Sequence, residues 1–333
     1  MSKKPQAVLE SIVQMTDQRQ LDSLAESLVS TVMQMVKVEQ VKILAVDPYL
    51  DRHAAANQLS LQADVSACHV FHECLKTHAV AQVSTPLGEP KTREQIAIPI
   101  MLKDSVVMIL WVTSEHLCAQ DIQMLIGFSK VYENFQSMVI ESETDPLTGL
   151  LNRKAFLPRL MKVTQALRKA AIDGVIEPEK YQPSLQSHWL CIFDIDKFKL
   201  INDTFGHLYG DEILLDMVKV MKATFNEHDS IFRFGGDEFV VLMSKRTKAD
   251  MLTLCEDFSH KLSINHGREV NVTISMGIIE VNSVEEPSEL LIKADKALYH
   301  IKETGRNRVG LYEDLVADGS IIPLTIEDDI ELF

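Results

Sequence analysis

The run Trp189-Leu-Cys-Ile-Phe-Asp194 is apolar at consecutive positions, so a strand built from it is buried on both faces. It ends in acid. Asp194 and Asp196 stand two apart, a spacing that points both to the same side of a strand, with the carbonyl of Ile195 between them. Buried strands rarely finish in paired carboxylates without a cation or donors to compensate, unless the acids cap a helix or mark an exposed strand end.

A second acidic pair follows in "RFGGDEFVVLM", Arg233 to Met243, where two apolar runs are joined by Gly235, Gly236, Asp237 and Glu238. A plain hairpin turn accounts for it alone. The surrounding pattern reads as helix (Arg153 to Ala170), strand (Trp189 to Asp194), helix (Gly210 to Phe225), strands (Ser230 to Phe234 and Glu238 to Met243), helix (Lys248 to Asn265), strand (Val270 to Ile279) and helix (Pro287 to Glu303), with a polar surface loop from Asp173 to Ser187. This βαββαβ order predicts an antiparallel sheet with helices on one face, which sets Asp237 and Glu238 beside Asp194. Such carboxylates repel one another. A divalent cation relieves that, and all-oxygen ligands favour Mg²⁺ or Mn²⁺ over Zn²⁺. Two glycines without Cβ then let a nucleotide lie against the backbone.

Asn202 and Asp211, in "NDTFGHLYGDEILL", offer acceptors suited to the N1–H and N2–H₂ edge of guanine, or are a turn Asn and a helix N-terminal Asp. Lys302 and Arg306 close the helix that ends at Gly305. Cations are ordinary there, and they also suit a triphosphate.

The 333 residues suffice for two domains, with 46% apolar residues and no apolar window of about 18 residues, so no membrane span or signal core is expected and the chain reads as cytoplasmic. A net charge of −15 repels nucleic acid, and five scattered cysteines fit a reducing compartment. The expected organisation is an N-terminal extension (1–20), a regulatory α/β domain (21–118), a long connecting helix (119–144), a second α/β domain (145–312) and an acidic tail (313–333). The order helix (Leu21 to Val36), strand (Val41 to Val46), helix, hairpin around Lys103-Asp104 resembles a GAF-type sensory domain. The helix Ala119 to Glu143 is either a stiff connector or a helix packed on the first domain. In "CHVFHECLKTH", Cys68 with His72 and Cys74 with His78 stand at i,i+4, a spacing able to hold a metal or haem iron, or are buried thiols beside solvated histidines.

"DPLTGLLNR", "FDIDKFKLINDTFGHLYGDEIL", "RFGGDEF", "VTISMGI" and "ADKALYHIKETGRNRV" occur here in the order and approximate spacing of the GGDEF family of diguanylate cyclases, which the chain resembles from about Asp145 to Leu311. The resemblance implies a palm-like, nucleotidyl-cyclase-type fold. It implies Mg²⁺, with Mn²⁺ as the other candidate, on Asp194, Asp237 and the Ile195 carbonyl, and Glu238 as a metal-site or catalytic carboxylate. It assigns Lys199 to charge on the phosphates, Asn202 and Asp211 to guanine, Lys302 and Arg306 to the triphosphate, and His207 to the substrate side. The reaction implied is condensation of two GTP into cyclic di-GMP and two pyrophosphates across a homodimer, under control of an unidentified small-molecule or protein signal at the N-terminal domain. A non-catalytic GTP or cyclic di-GMP receptor and a mononucleotide cyclase are the alternatives. One departure stands out. Many members carry an Arg-x-x-Asp inhibitory site, whereas this chain has Asp229 with Asn226 in place of the Arg, so weak product inhibition is expected.

Overall fold

The computed structural model describes residues 13, 21–46, 69–88, 91–102, 104–173, 186–263 and 270–323. The chain divides between Ser142 and Glu143 into two compact units.

The first unit contains α1 (Leu21–Met35), β1 (Gln40–Ala45), α2 (His69–Thr77), β2 (Ala81–Gly88), β3 (Lys91–Leu102), β4 (Ser105–Ser114) and α3 (Ala119–Glu143). Its strands form an antiparallel sheet in the order β1-β4-β3-β2. β4 is buried from Val106 onward, because both faces of the sheet are covered. On one face Leu24, Leu28 and Val32 of α1 and Leu125, Phe128 and Tyr132 of α3 pack with Ile96, Ile98 and Ile100. On the other, Val70, Phe71 and Cys74 of α2 meet Ala97, Ile109 and Trp111. The expected helix, strand, helix and hairpin are all present, with Leu102 opposite Ser105 across the Lys103-Asp104 connection. β2 went unread because its Gln, Ser, Thr and Pro residues are exposed and show no alternation, as befits an edge strand. α3 has the expected bounds, and its apolar stripe packs on this sheet.

Among the described residues the Cys/His segment forms no group of three or more metal-ligating side chains. Cys74 is buried in the core on the α2 face of the sheet, and burial pushes its thiol up to about 11. α2 ends at Thr77, and His78 turns outward with φ of 53°. Cys68, and with it the Cys68–His72 spacing, lies outside the described residues.

The second unit contains β5 (Leu151–Asn152), α4 (Arg153–Ile172), β6 (Ser187–Ile195), α5 (Phe198–Phe205), α6 (His207–Thr224), β7 (Ser230–Gly235), β8 (Glu238–Arg246), α7 (Lys248–Ser263), β9 (Ile274–Val281), α8 (Pro287–Glu303), β10 (Val309–Leu311) and α9 (Tyr312–Ala317). Its six strands run β10-β9-β6-β8-β7-β5. The expectation of an antiparallel sheet with helices on one face is corrected in two respects. The outer pairs β10–β9 and β7–β5 are parallel. Helices also cover both faces: α5, α6 and α7 pack on Cys191, Phe193, Ile195 and Phe239, while α4 and α8 pack on Leu190, Ile192, Val240 and Leu242. The two-sided apolar run of β6 already required this. The helix expected from Gly210 starts three residues earlier, as α6 at His207, and a helix not expected from the sequence, α5, precedes it across Gly206, whose φ is 86°. Most of the loop read from Asp173 to Ser187 lies outside the described residues. The first part of the acidic tail forms α9, whose Tyr312 joins the α4/α8 core. Among the described residues, no helix is long and apolar enough to cross a membrane.

α8 lies against β9 at Gly277, where a Cβ would stand 2.1 Å from the carbonyl oxygen of Ala294 and 2.4 Å from the Leu298 nitrogen. Both are helix backbone and cannot swing aside. Gly277→Ala is therefore expected to cost about 3 kcal/mol or more, seen as a lowered urea midpoint for this unit.

Candidate active site

Strand alternation decides where the acids go. Leu190 and Ile192 face α4 and α8, so Asp194 continues on that face, directly opposite Glu238 of β8 and beside Ser275 of β9. Lys302, in the last turn of α8, reaches this corner and donates to Asp194 Oδ2 at 2.7 Å. Burial, and then repulsion from Asp237, raises the Asp194 pKa against the pull of Lys302. Burial likewise raises Asp237, with repulsion from Glu238 adding to it and Lys302 opposing. The two strand ends thus hold acids that favour a positive partner, and the ammonium of Lys302 supplies one.

Asp196 lies near Asp194 and adds to the repulsion on it, but its carboxylate is held by other donors. β6 ends at Ile195, and the Asp196 carboxylate is tied down by Thr273 Oγ1 (2.7 Å), Ser275 Oγ (2.6 Å) and the Asn307 backbone N–H (3.1 Å). It anchors the turn after α8, where Arg306 and Asn307 both have positive φ (60° and 50°), and so positions Arg306. The expected convergence of Asp194 and Asp196 is met in part: their charges interact, but the Asp196 carboxylate is taken up by these three donors.

Gly235 and Gly236 turn the chain with φ of 148° and 51°, and the places their Cβ atoms would take are open. Arg233 braces this turn, donating through Nε and Nη2 to the Gly236 carbonyl (3.1 and 2.8 Å) and through Nη1 to Asp145 (2.9 Å). Burial alone would raise the Asp145 pKa, but hydrogen bonds from Thr148 and the Arg233 charge hold it below the usual value. Neither Arg233 nor Asp145 was picked out from sequence. A cation two residues before the glycines was the available signal.

Lys199 is exposed on the first turn of α5, His207 is exposed at the start of α6, and Asp211 is half-buried one turn on. Asn202 lies where α5 meets α6, and its Oδ1 is buried without a hydrogen-bond partner. Among the described residues no cluster of three or more His, Cys, Asp or Glu makes a complete metal cage. Two acids leave the remaining positions to a carbonyl, waters and substrate phosphates, which is how Mg²⁺ is usually held. The donor set therefore fits a hard divalent cation.

Asp229, which the family resemblance matches to an inhibitory site, is fully buried. It accepts hydrogen bonds from the Ser244 N–H (2.8 Å), Ser244 Oγ (2.9 Å) and the Asn226 N–H (3.0 Å), and is paired with the Arg246 guanidinium.

Carboxylates at two strand ends, facing a lysine and an open glycine turn, are the equipment of a metal-assisted phosphate site on a mixed α/β sheet. The family model described as diguanylate cyclase, GGDEF domain, matches residues 142–308, half of the chain, and the chain belongs to this family. The probable diguanylate cyclase DgcI of Escherichia coli K12 is 36% identical over 158 residues, 46% of this chain and 33% of its own length. Diguanylate cyclase DgcS of Shewanella oneidensis is 32% identical over 196 residues, 58% of this chain and 61% of its own. Among solved structures, the coiled coil and GGDEF domain of DgcB from Caulobacter crescentus is 27% identical with a TM-score of 0.48, over 58% of this chain and 97% of that one. The chain spans between about a third and three fifths of the length of these two curated relatives.

Proposed function

We propose that the chain is a diguanylate cyclase, condensing two GTP into cyclic di-GMP and two diphosphates. The observation that carries this reading is the corner where Asp194 lies opposite Glu238, beside Asp237, with Lys302 on its carboxylate. Asp194, Asp237 and the Ile195 carbonyl would hold Mg²⁺ or Mn²⁺. When bound, the ion would lower the pKa of a GTP 3′-hydroxyl and offset charge on the α-phosphate. Glu238, exposed at the rim, accepts the hydroxyl proton. Lys302 and Arg306 would face the triphosphate, and Lys199 would add charge from α5. Asn202 and Asp211 accept from the guanine edge, with His207 on the same side, and Gly235 and Gly236 leave the backbone bare for the nucleotide.

The unit holds one such site and the reaction takes two GTP, so two copies face each other as a homodimer. Catalysis then depends on how the copies are presented, and the first unit, read as a GAF-like sensory domain, supplies that control in response to a small-molecule or protein signal. A cytoplasmic location fits a GTP substrate. Product inhibition at the Arg-x-x-Asp position is weak or absent: Asn226 lacks a guanidinium, and Asp229 is committed to Arg246 inside the fold.

Purified protein with GTP and Mg²⁺ is expected to yield cyclic di-GMP on chromatography, with turnover lost in Glu238→Ala and unchanged by added product. A product of 3′,5′-cyclic GMP would replace this reading with a mononucleotide cyclase. Nucleotide binding without turnover would make the chain a receptor.

A further inference from the structure

Asn202 Oδ1 is the one atom of the proposed guanine site that is both sealed from water and without a donor among the described residues. A buried carbonyl left in that state is disfavoured unless something completes it. The reason it can lie there is on the next helix. A Cβ on Gly210 would stand 1.9 Å from Asn202 Oδ1 and 3.0 Å from its Cγ, with Phe198 Cζ at 3.2 Å closing the remaining side. Gly210 itself is buried in the first turn of α6, its N–H directed at the Gly206 carbonyl (3.3 Å). Helix geometry gives no reason for glycine here, since Gly210 is absent from the positive-φ residues and glycine lowers helix stability relative to alanine.

We infer that Gly210 is a positioning residue for nucleotide recognition: its missing Cβ creates the seat that fixes the Asn202 side chain at the α5–α6 crossing. This rests on the reading of Asn202 as a guanine contact. An alanine at 210 forces the amide out of its seat, because Asn202 Oδ1 is the free end of a side chain and moves more readily than the helix backbone. The enzyme keeps its carboxylates and lysine, so nucleotide affinity falls while the chemistry of bound GTP is much less affected.

The test is binding of 3′-deoxy-GTP, which lacks the attacking hydroxyl and cannot react, measured by calorimetry with Mg²⁺ on the full chain. The set comprises wild type, Gly210→Ala, Asn202→Ala and the double variant. Gly210→Ala and Asn202→Ala are each expected to weaken binding about tenfold or more, and the double variant no further than Asn202→Ala alone. Steady-state GTP turnover is expected to show the same split, with KM raised and kcat within a few-fold of wild type. If Gly210→Ala weakens binding equally in the Asn202→Ala background, its effect does not pass through Asn202 and the inference is overturned. Normal binding by Gly210→Ala beside weak binding by Asn202→Ala overturns it too, with the guanine reading left standing. Normal binding by Asn202→Ala removes the guanine reading itself. Should Gly210→Ala fail to fold, recovery of folding in the double variant, from which the clashing amide is gone, supports the seat. Failure of both variants to fold assigns Gly210 to the core and rejects it.

Discussion

Asp237→Asn is expected to lower GTP turnover by about a thousandfold, the loss of several kcal/mol of metal-assisted stabilisation, and yet to leave a folded protein. In metal-free buffer the variant is also expected to be more stable than wild type at neutral pH. Burial, and repulsion within the acidic corner, raise the pKa of both Asp194 and Asp237, so the folded state favours their protonated forms. Stability from such groups is full below the ordinary value of 3.8 and is lost as pH rises through the elevated folded values. The advantage of Asp237→Asn in EDTA should therefore appear above that value and widen with pH. Urea unfolding across the pH range measures it. Loss of turnover together with a constant or shrinking stability difference would show that Asp237 acts without this repulsion.

Asp229→Ala is expected to destabilise the second unit by about 3–5 kcal/mol. The Asp229 side chain is fully buried and that of Arg246 is 11% exposed, so truncation leaves a guanidinium enclosed without its carboxylate and takes an acceptor from Ser244. Replacing both partners, as Asp229→Leu with Arg246→Met, is expected to restore most of the loss, because the cost comes from the unpaired charge rather than from the missing pair. Urea midpoints for the two variants check this. A near-neutral Asp229→Ala would mean that the aspartate is accessible, and would reopen the position to product.

Much of this site was legible in the sequence, for reasons that can be named. "WLCIFD" and "EFVVLM" are apolar enough to fix two adjacent buried strands, and strand pairing then places Asp194 opposite Glu238 without further information. α8 was read from Pro287 to Glu303 because its start and its glycine stop are written locally. What was missed depended on contacts far apart in the chain. Asp196 stands near Asp194 as its spacing suggested, but the donors that hold its carboxylate, Thr273, Ser275 and Asn307, lie far along the chain. The Arg233–Asp145 brace joins residues 88 apart. The seat at Gly210 exists only once α5 and α6 cross, and the break between them rests on Gly206 alone. Helices on both sheet faces follow from the two-sided apolar strand, whereas the βαββαβ order alone does not show which face each helix takes.

On the proposed reading, the acids at the strand ends form a divalent-cation site for a guanine nucleotide. Its most direct test is Mn²⁺ binding, followed by loss of the free-ion paramagnetic resonance signal, in the presence of 3′-deoxy-GTP. Wild type is expected to take up the ion, with Asp194→Asn and Asp237→Asn each weakening uptake about a hundredfold. Equal Mn²⁺ binding by all three proteins would contradict the assignment.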